Sequence, residues 1–383
     1  MRRNGNVRMA ERSRARLIAE IAVAGAGAAL VILALAANQT WLDRHVLPSF
    51  FLPRRWYVTL ETVVRVTIVA IGILLAVVLR PRIGRLGSLS PARVLPIVIA
   101  ALLAVGAGEL VLRLTRMRPI GWLVDEMEPR RRPDPRLGWT LVPNRTGRSP
   151  IGGRSVEYAI DPAGYRVPSV DQPVDPERPT ILFTGESVMF GEGLTWDESI
   201  PGEVGRLMDV QSANLAVHGF GSDQAFLRLQ VELPRFRRPV AIVSLFMTAL
   251  FGRNLDRERP HLAPGLRWMP AEPRSRLASL AILLVPYRSS DTVDRGVTMT
   301  RDVLQATIDL ARVRHATPLV VVPQLGPEDE LERSLRRRVL DEAHLPYVLV
   351  ETDETWRLPG DLHPNARAAR MIAEAIAARL RGQ

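Results

Sequence analysis

Three residues that together can make a hydroxyl nucleophilic stand in a fixed order along this chain: Ser187, Asp361 and His363. A serine hydroxyl is a poor nucleophile at neutral pH and needs a base to take its proton as it attacks. An imidazole can be that base when a carboxylate holds its other nitrogen and stabilises the imidazolium. Ser187 closes the run Thr180-Ile-Leu-Phe-Thr-Gly-Glu-Ser187, a short apolar strand that stops at Gly185. Glycine permits the tight turn that exposes a side chain at a strand end. Asp361 and His363 lie in Gly360-Asp-Leu-His-Pro-Asn365, a turn ahead of a helix-forming tail. Asp361 could also cap that helix, and the two roles are compatible. Of the other histidines only His218 falls at a predicted strand end; His45, His261, His315 and His344 fall in loops or on helices. Glu186 reads as a residue of a solvated turn that bonds nearby backbone, not as a base.

Positioning these groups requires a sheet. From Pro179 onward, apolar stretches at Thr180–Phe183, Ala213–Val217, Val240–Phe246, Pro318–Val322 and Tyr347–Val350 read as strands. Helical patterns fill Ser199–Met208, Asp223–Phe236, Met299–Val313, Glu328–Glu342 and Pro364–Leu380 between and after them. Alternation of this kind predicts an α/β domain with a parallel sheet between helical layers. Ligands in such sheets bind at the carboxyl ends of the strands, where Ser187, Gly219 and the residues after Phe246 can converge.

The Gly-Glu-Ser turn, the segment Asn214-Leu-Ala-Val-His-Gly-Phe-Gly221 and the closing Asp-Leu-His-Pro-Asn resemble the SGNH/GDSL hydrolase family over residues 179–383. The resemblance implies a three-layer, flavodoxin-like domain with Ser187 as nucleophile, Asp361 and His363 as its partners, and Gly219 as an oxyanion glycine. Backbone N–H groups of Ser187 and Gly219 would then face the tetrahedral anion, each such donor worth about 3 kcal/mol. The family's third donor is an asparagine after the third strand. Here Asn254 lies further along than usual and Thr248 sits nearer the expected place, so either is a candidate. The family's usual Gly-Asp-Ser reads Gly-Glu-Ser in this chain.

With 383 residues the chain has room for more than one part. There is no cysteine, which excludes disulfides and thiolate metal sites. Its net charge of +11 comes from arginine alone, with no lysine. No zinc-finger or RNP-like signature supports nucleic acid as a partner. Neither Gly-x-x-x-x-Gly-Lys nor His-Glu-x-x-His occurs, so no cofactor and no metal are expected.

The first 118 residues carry apolar segments at Ile21–Ala37, Trp56–Leu79 and Val94–Leu112, each near the roughly 20 residues that cross a bilayer. They predict three transmembrane helices. Arginines crowd the head and the Arg80–Arg93 loop, which puts both on the cytoplasmic side of a bacterial inner membrane and the C-terminal domain outside. Ala34-Leu-Ala36 resembles a cleavage site, but the apolar run is longer than a signal core and reads as an uncleaved span. Glu20, Glu61 and Glu109 are the acidic residues of these segments, and buried charge in a membrane is usually functional.

Residues 119–178 read as a juxtamembrane linker followed by a small β appendage, built from Leu137–Asn144 and Val156–Ile160. Arg253–Val297 reads as an insertion at the ligand-bearing rim, with Leu277–Val285 either dipping into the membrane surface or, the favoured reading, packing on the core domain. The expected function is a membrane-anchored, extracytoplasmic serine esterase or O-acyltransferase. Its partners would be the lipid bilayer and an acylated small molecule or cell-envelope glycan. The competing expectation is an inactive binding or assembly protein on the same fold, motivated by the displaced asparagine. A transporter component built on three spans is a weaker third.

Overall fold

The computed structural model describes residues 2–46, 54–82, 91–114, 127–272, 274–284 and 287–382. Residues 83–90 of the arginine-bearing loop and 115–126 of the expected linker lie outside the described residues. The chain forms two compact units. One comprises Met1–Pro48, Leu52–Pro119 and Ser275–Tyr287, and the other holds Ile120–Arg274 and Arg288–Gln383.

The first unit is helical. Helices Arg2–Ala36 and Arg54–Ile73, the latter continued by a π-helical stretch Leu74–Leu79, pack against each other. Within them Arg16–Ala36 and Arg55–Arg82 are long and apolar enough to cross a membrane. Their apolar side chains face outward, with Ile18 and Val77 each 67% exposed. The third predicted segment is helical too, Pro91–Leu114, but among the described residues two helices, not three, are long and apolar enough to cross a membrane.

Glycine sets the helix crossing. A Cβ at Gly27 would stand 2.5 Å from the Gly72 carbonyl oxygen, and one at Gly72 would stand 2.6 Å from that of Gly27. Small residues let helix backbones approach this closely. Gly72→Leu should force the helices apart and destabilise the unit by about 1–3 kcal/mol. Thermal unfolding in detergent checks this, with Gly25→Leu as control, since nothing lies within 4 Å of a Cβ there.

Two expectations about this unit change. Helix Arg276–Leu284 belongs to it and not to the core domain. Glu109 explains the placement, since its carboxylate accepts the N–H groups of Arg276 and Leu277, both at 2.9 Å, at the start of that helix. It also accepts Arg113 Nε at 2.8 Å, so this acidic group serves as a helix cap.

The second unit is built on an eight-stranded mixed sheet. Its strands are β3 (Arg145–Ile151), β4 (Arg154–Ile160), β5 (Arg166–Val167), β6 (Pro179–Thr184), β7 (Gln211–Asn214), β8 (Arg238–Leu245), β11 (Thr317–Leu325) and β12 (Tyr347–Thr352). Two small hairpins complete the set: β1 (Arg131–Asp134) with β2 (Gly138–Leu141), and β9 (His261–Ala263) with β10 (Arg267–Met269). The sheet order is β12-β11-β8-β6-β7-β5-β4-β3. The five strands from β12 to β7 pair in parallel, as the alternating pattern predicts. Strands β5, β4 and β3 run antiparallel beyond β7, so the stretch read as an appendage continues the same sheet.

Ile181, Leu182 and Phe183 of β6 are all fully buried, as expected of a central strand covered on both faces. Successive side chains point to opposite faces. Leu182 joins a cluster with Leu229, Ile242 and Ala311, under helices Ser222–Glu232 and Ser290–Val313. Ile181 and Phe183 meet Ile200, Val204, Ile372 and Ile376 from helices Ile200–Met208 and Ala366–Arg381. The result is three layers, with the chain reversing sheet direction between β6 and β8. That is the topological switch point at which ligands bind in doubly wound sheets.

Candidate active site

The nucleophile turn starts where β6 ends. Gly185 has φ +155°, and a Cβ there would press on Leu245 Cβ at 3.0 Å and Met189 Cβ at 3.1 Å. Only glycine turns the chain sharply in that space. Ser187 then opens a single helical turn, Ser187–Phe190, that ends at Gly191 in the left-handed region. The far end of this turn is held by buried donors. Arg166 Nη1 donates to the carbonyls of Phe190 and Gly191 at 2.6 and 2.7 Å, and its Nη2 donates to Leu194 O at 2.5 Å. Asn214 Nδ2 adds bonds to Met189 O and Phe190 O at 3.3 and 3.2 Å. The Arg166 guanidinium sits 4.9 Å from each of the Tyr158 and Phe190 ring centroids. Burial pulls its pKa down to about 10, and it stays charged at neutral pH.

A second turn delivers the imidazole. Leu358 N–H donates to His363 O at 2.7 Å, and Arg357 reaches across with Nη1 to Leu362 O at 2.9 Å. The following helix is capped by Asn365, whose Oδ1 accepts Arg367 and Ala368 N–H at 3.1 and 3.2 Å. Asp361 is thereby free of capping and faces the ring. His363 Nδ1 donates to Asp361 Oδ1, and His363 Nε2 lies 2.9 Å from Ser187 Oγ. An ionised carboxylate can only accept, so Nδ1 carries the proton and Nε2 is left to take one from serine. The structure thus brings Ser187, Asp361 and His363 into one chain of hydrogen bonds.

Charge around the ring decides its titration. Burial pushes the His363 imidazole down, but the hydrogen bond to Asp361 and the charges of Glu192, Asp361 and Glu186 outweigh it and leave it above the ordinary value. Glu192 Oε2 lies 3.8 Å from Nε2. Burial pushes the Asp361 carboxyl up, and its bonds with His363 more than reverse this.

The candidate oxyanion residues are placed as follows. Backbone bonds Leu215 N→Phe183 O at 2.8 Å and Val217 N→Gly185 O at 3.3 Å carry the β6–β7 pairing past the strand ends. They set His218 and Gly219 beside the nucleophile turn, with Gly219 at φ +83°. His218 packs edge-on against Phe190 at 5.4 Å, and burial lowers its pKa to about 3, so it is neutral. Its carbonyl accepts Trp139 Nε1 at 3.1 Å, which ties hairpin β1–β2 to this loop. Thr248 is buried at the start of the 3-10 segment Thr248–Leu255. Asn254 donates its amide to Ser222 Oγ at 3.2 Å and Thr300 Oγ1 at 2.9 Å and accepts Ser222 N–H at 2.9 Å. Its side chain is engaged with those groups rather than with Ser187. A small pocket lined by Phe220, Phe246, Met247, Leu250 and Asn254 lies beside Gly185 and Glu186.

Sequence reasoning missed Glu192, Arg253, Arg166 and the orientation of Glu186. The Glu186 turn is not solvated, for the residue is only 7% exposed. Its Oε2 accepts Ser187 Oγ at 2.6 Å, Val188 N at 3.2 Å and Arg253 Nη1 at 3.3 Å. A glutamate, one methylene longer than aspartate, can fold back over its own turn, which is the signal the sequence held.

No family model matches the chain, and no curated protein matches it. Solved structures similar to it include an acetyl xylan esterase from the rumen bacterium Butyrivibrio proteoclasticus, at 12% identity and TM-score 0.34, covering 55% of this chain and 65% of that one. A GDSL-like lipase from Bacteroides thetaiotaomicron matches at 13% identity and TM-score 0.31, covering 55% of this chain and 91% of that one. A member of the lipolytic protein G-D-S-L family from Veillonella parvula matches at 14% identity and TM-score 0.31, covering 52% of this chain and 96% of that one. Likeness at these values carries no argument about chemistry, which rests on the residues of this chain.

Proposed function

We propose that the second unit is a serine esterase or O-acyltransferase that works through an acyl-Ser187 intermediate. The observation that carries this reading is the 2.9 Å contact between Ser187 Oγ and His363 Nε2, with Asp361 on the other ring nitrogen. In the reaction Ser187 Oγ attacks the ester carbonyl while its proton passes to Nε2. Asp361 stabilises the imidazolium without taking the proton. Backbone N–H groups of Ser187 and Gly219 meet the oxyanion, with Asn254, which lines the pocket beside Gly185 and Glu186, or the buried Thr248 as candidate third donor. The imidazolium then protonates the departing alkoxide. Water or a sugar hydroxyl attacks the acyl-serine by the same route, giving hydrolysis or transfer.

In this reading the two apolar helices, with Pro91–Leu114 as a third, anchor the protein in a bilayer, and the arginine distribution supports an orientation with the second unit outside the cytoplasm. An acylated cell-envelope glycan is the substrate class such a position favours. The test is labelling by a fluorophosphonate in detergent. Wild type should label on Ser187, and Ser187→Ala should not. The engaged amide of Asn254 favours a second reading, a binding protein that kept the fold, and that reading predicts no labelling of wild type.

The base must be neutral to act, and its pKa is raised. Activity should therefore fall with acidification at a pH above the ordinary histidine value. Glu192→Gln removes one of the charges that raise it, so the acid limb of kcat/KM should move to lower pH. A pH–rate profile of both proteins on a neutral ester checks the sign.

A further inference from the structure

The Ser187 hydroxyl has one proton and two acceptors. Glu186 Oε2 lies at 2.6 Å and His363 Nε2 at 2.9 Å. Only transfer to His363 delivers a serine alkoxide to a substrate with a base ready to return the proton. Hydrogen bonds to an ionised carboxylate are shorter and stronger than those to a neutral acceptor. With no substrate bound, the proton therefore points at Glu186.

The glutamate is built into this place. Its Oε2 takes every bond it makes, whereas Oε1 is buried with no hydrogen-bond partner. Burying a carboxylate oxygen unbonded is unfavourable. Plain capping of the Ser187–Phe190 turn does not require it, since shorter side chains cap without it. Among the described residues Arg253 is the one cation bonded to this carboxylate, through Nη1 on the same Oε2 that Ser187 uses. Sharing that oxygen weakens its grip on the hydroxyl. The charged groups around the pair are Arg253, Arg259, Glu192 and Asp361, with the His363 ring as the second acceptor and the His218 ring neutral.

Resting on the serine-esterase reading, we propose that Glu186 is a positioning residue that restrains the nucleophile. It holds the Ser187 hydroxyl off His363 in the resting enzyme, and Arg253 sets how tightly. The restraint is lifted when the hydroxyl turns to Nε2 as a carbonyl approaches.

The rate of labelling by a neutral fluorophosphonate tests this on the full chain in detergent, read on the alkaline plateau of the pH profile where His363 is neutral. Glu186→Gln keeps the shape and removes the charge, and should label about fivefold faster, the margin between a charged and a neutral hydrogen bond. Arg253→Gln should label more slowly, and the double variant should follow Glu186→Gln. A gain in rate is something structural damage does not produce. If Glu186→Gln does not fold, Glu186→Asp carries the test, because it keeps the charge and withdraws the carboxylate from the hydroxyl; it too should be faster. Slower or unchanged labelling of the folded glutamate variant overturns the proposal, as does an equal slowing by Arg253→Gln in both backgrounds. Absence of labelling in wild type removes the esterase reading and this proposal together, whereas the wrong order of rates among labelled proteins removes this proposal alone.

Discussion

Replacing His363 by alanine should lower kcat on an activated ester by about 10⁴- to 10⁶-fold, with KM little changed. The imidazole is the group within reach that can accept the Ser187 proton and later return it to the leaving group. Glu186 is closer to the hydroxyl, but its side chain curls back over its own turn toward Val188 and Arg253. A stopped-flow or chromogenic assay on purified protein measures the loss. Retained activity above about one-hundredth of wild type would show that the proton takes another route. The fold should survive, because the turn that carries His363 is clamped by backbone bonds from Leu358 and by Arg357, not by the ring.

Arg166→Met should be costly in a different way. The guanidinium is fully buried and saturates carbonyls of Phe190, Gly191 and Leu194. Methionine fills much of the volume but donates nothing. Buried acceptors left unbonded cost about 1–3 kcal/mol each. Asn214 still reaches Phe190 O, so a total of about 3–5 kcal/mol is expected. In a unit of this size that lowers the unfolding midpoint by about 10 °C. The turn these carbonyls belong to carries Ser187 at its other end. A displacement of about 1 Å there is enough to lower kcat about 10²-fold. Calorimetry and kinetics on one preparation check both, and a kcat loss without a stability loss would contradict the account.

The core strands and the paired turns were legible because each is written locally. Apolar runs of strand length mark β6, β8, β11 and β12, and Gly185 marks the end of β6. The β7 region shows the limit of such reading. The apolar pattern suggests a strand through Val217, yet pairing as a strand stops at Asn214. From there Leu215 bonds the end of β6 at Phe183 and Val217 bonds Gly185 just beyond it, and Asn214 turns its side chain to the nucleophile turn. The restraint of Ser187 by Glu186 and Arg253 was not legible, because residues 67 positions apart meet only once the fold exists. Arg166 carries no motif at all. A lone arginine near a turn looks the same whether it ends in water or at the centre of a protein. The helix Arg276–Leu284 was misassigned for a related reason: its apolar face fits either unit, and the carboxylate that anchors its start, Glu109, is 167 residues away.

Where the gene is trimmed will decide whether the second unit can be handled without detergent. A version beginning at Pro179, where the familiar pattern begins, would strip β5, β4 and β3 from the sheet and leave β7 as a bare border inviting other chains to pair with it. It would also discard the arginine that props the nucleophile from beneath. A version beginning near Met127 keeps the border covered and the prop in place. With the first unit's stretch Ser275–Tyr287 excised as well, the longer form should be monodisperse and the shorter one should pellet.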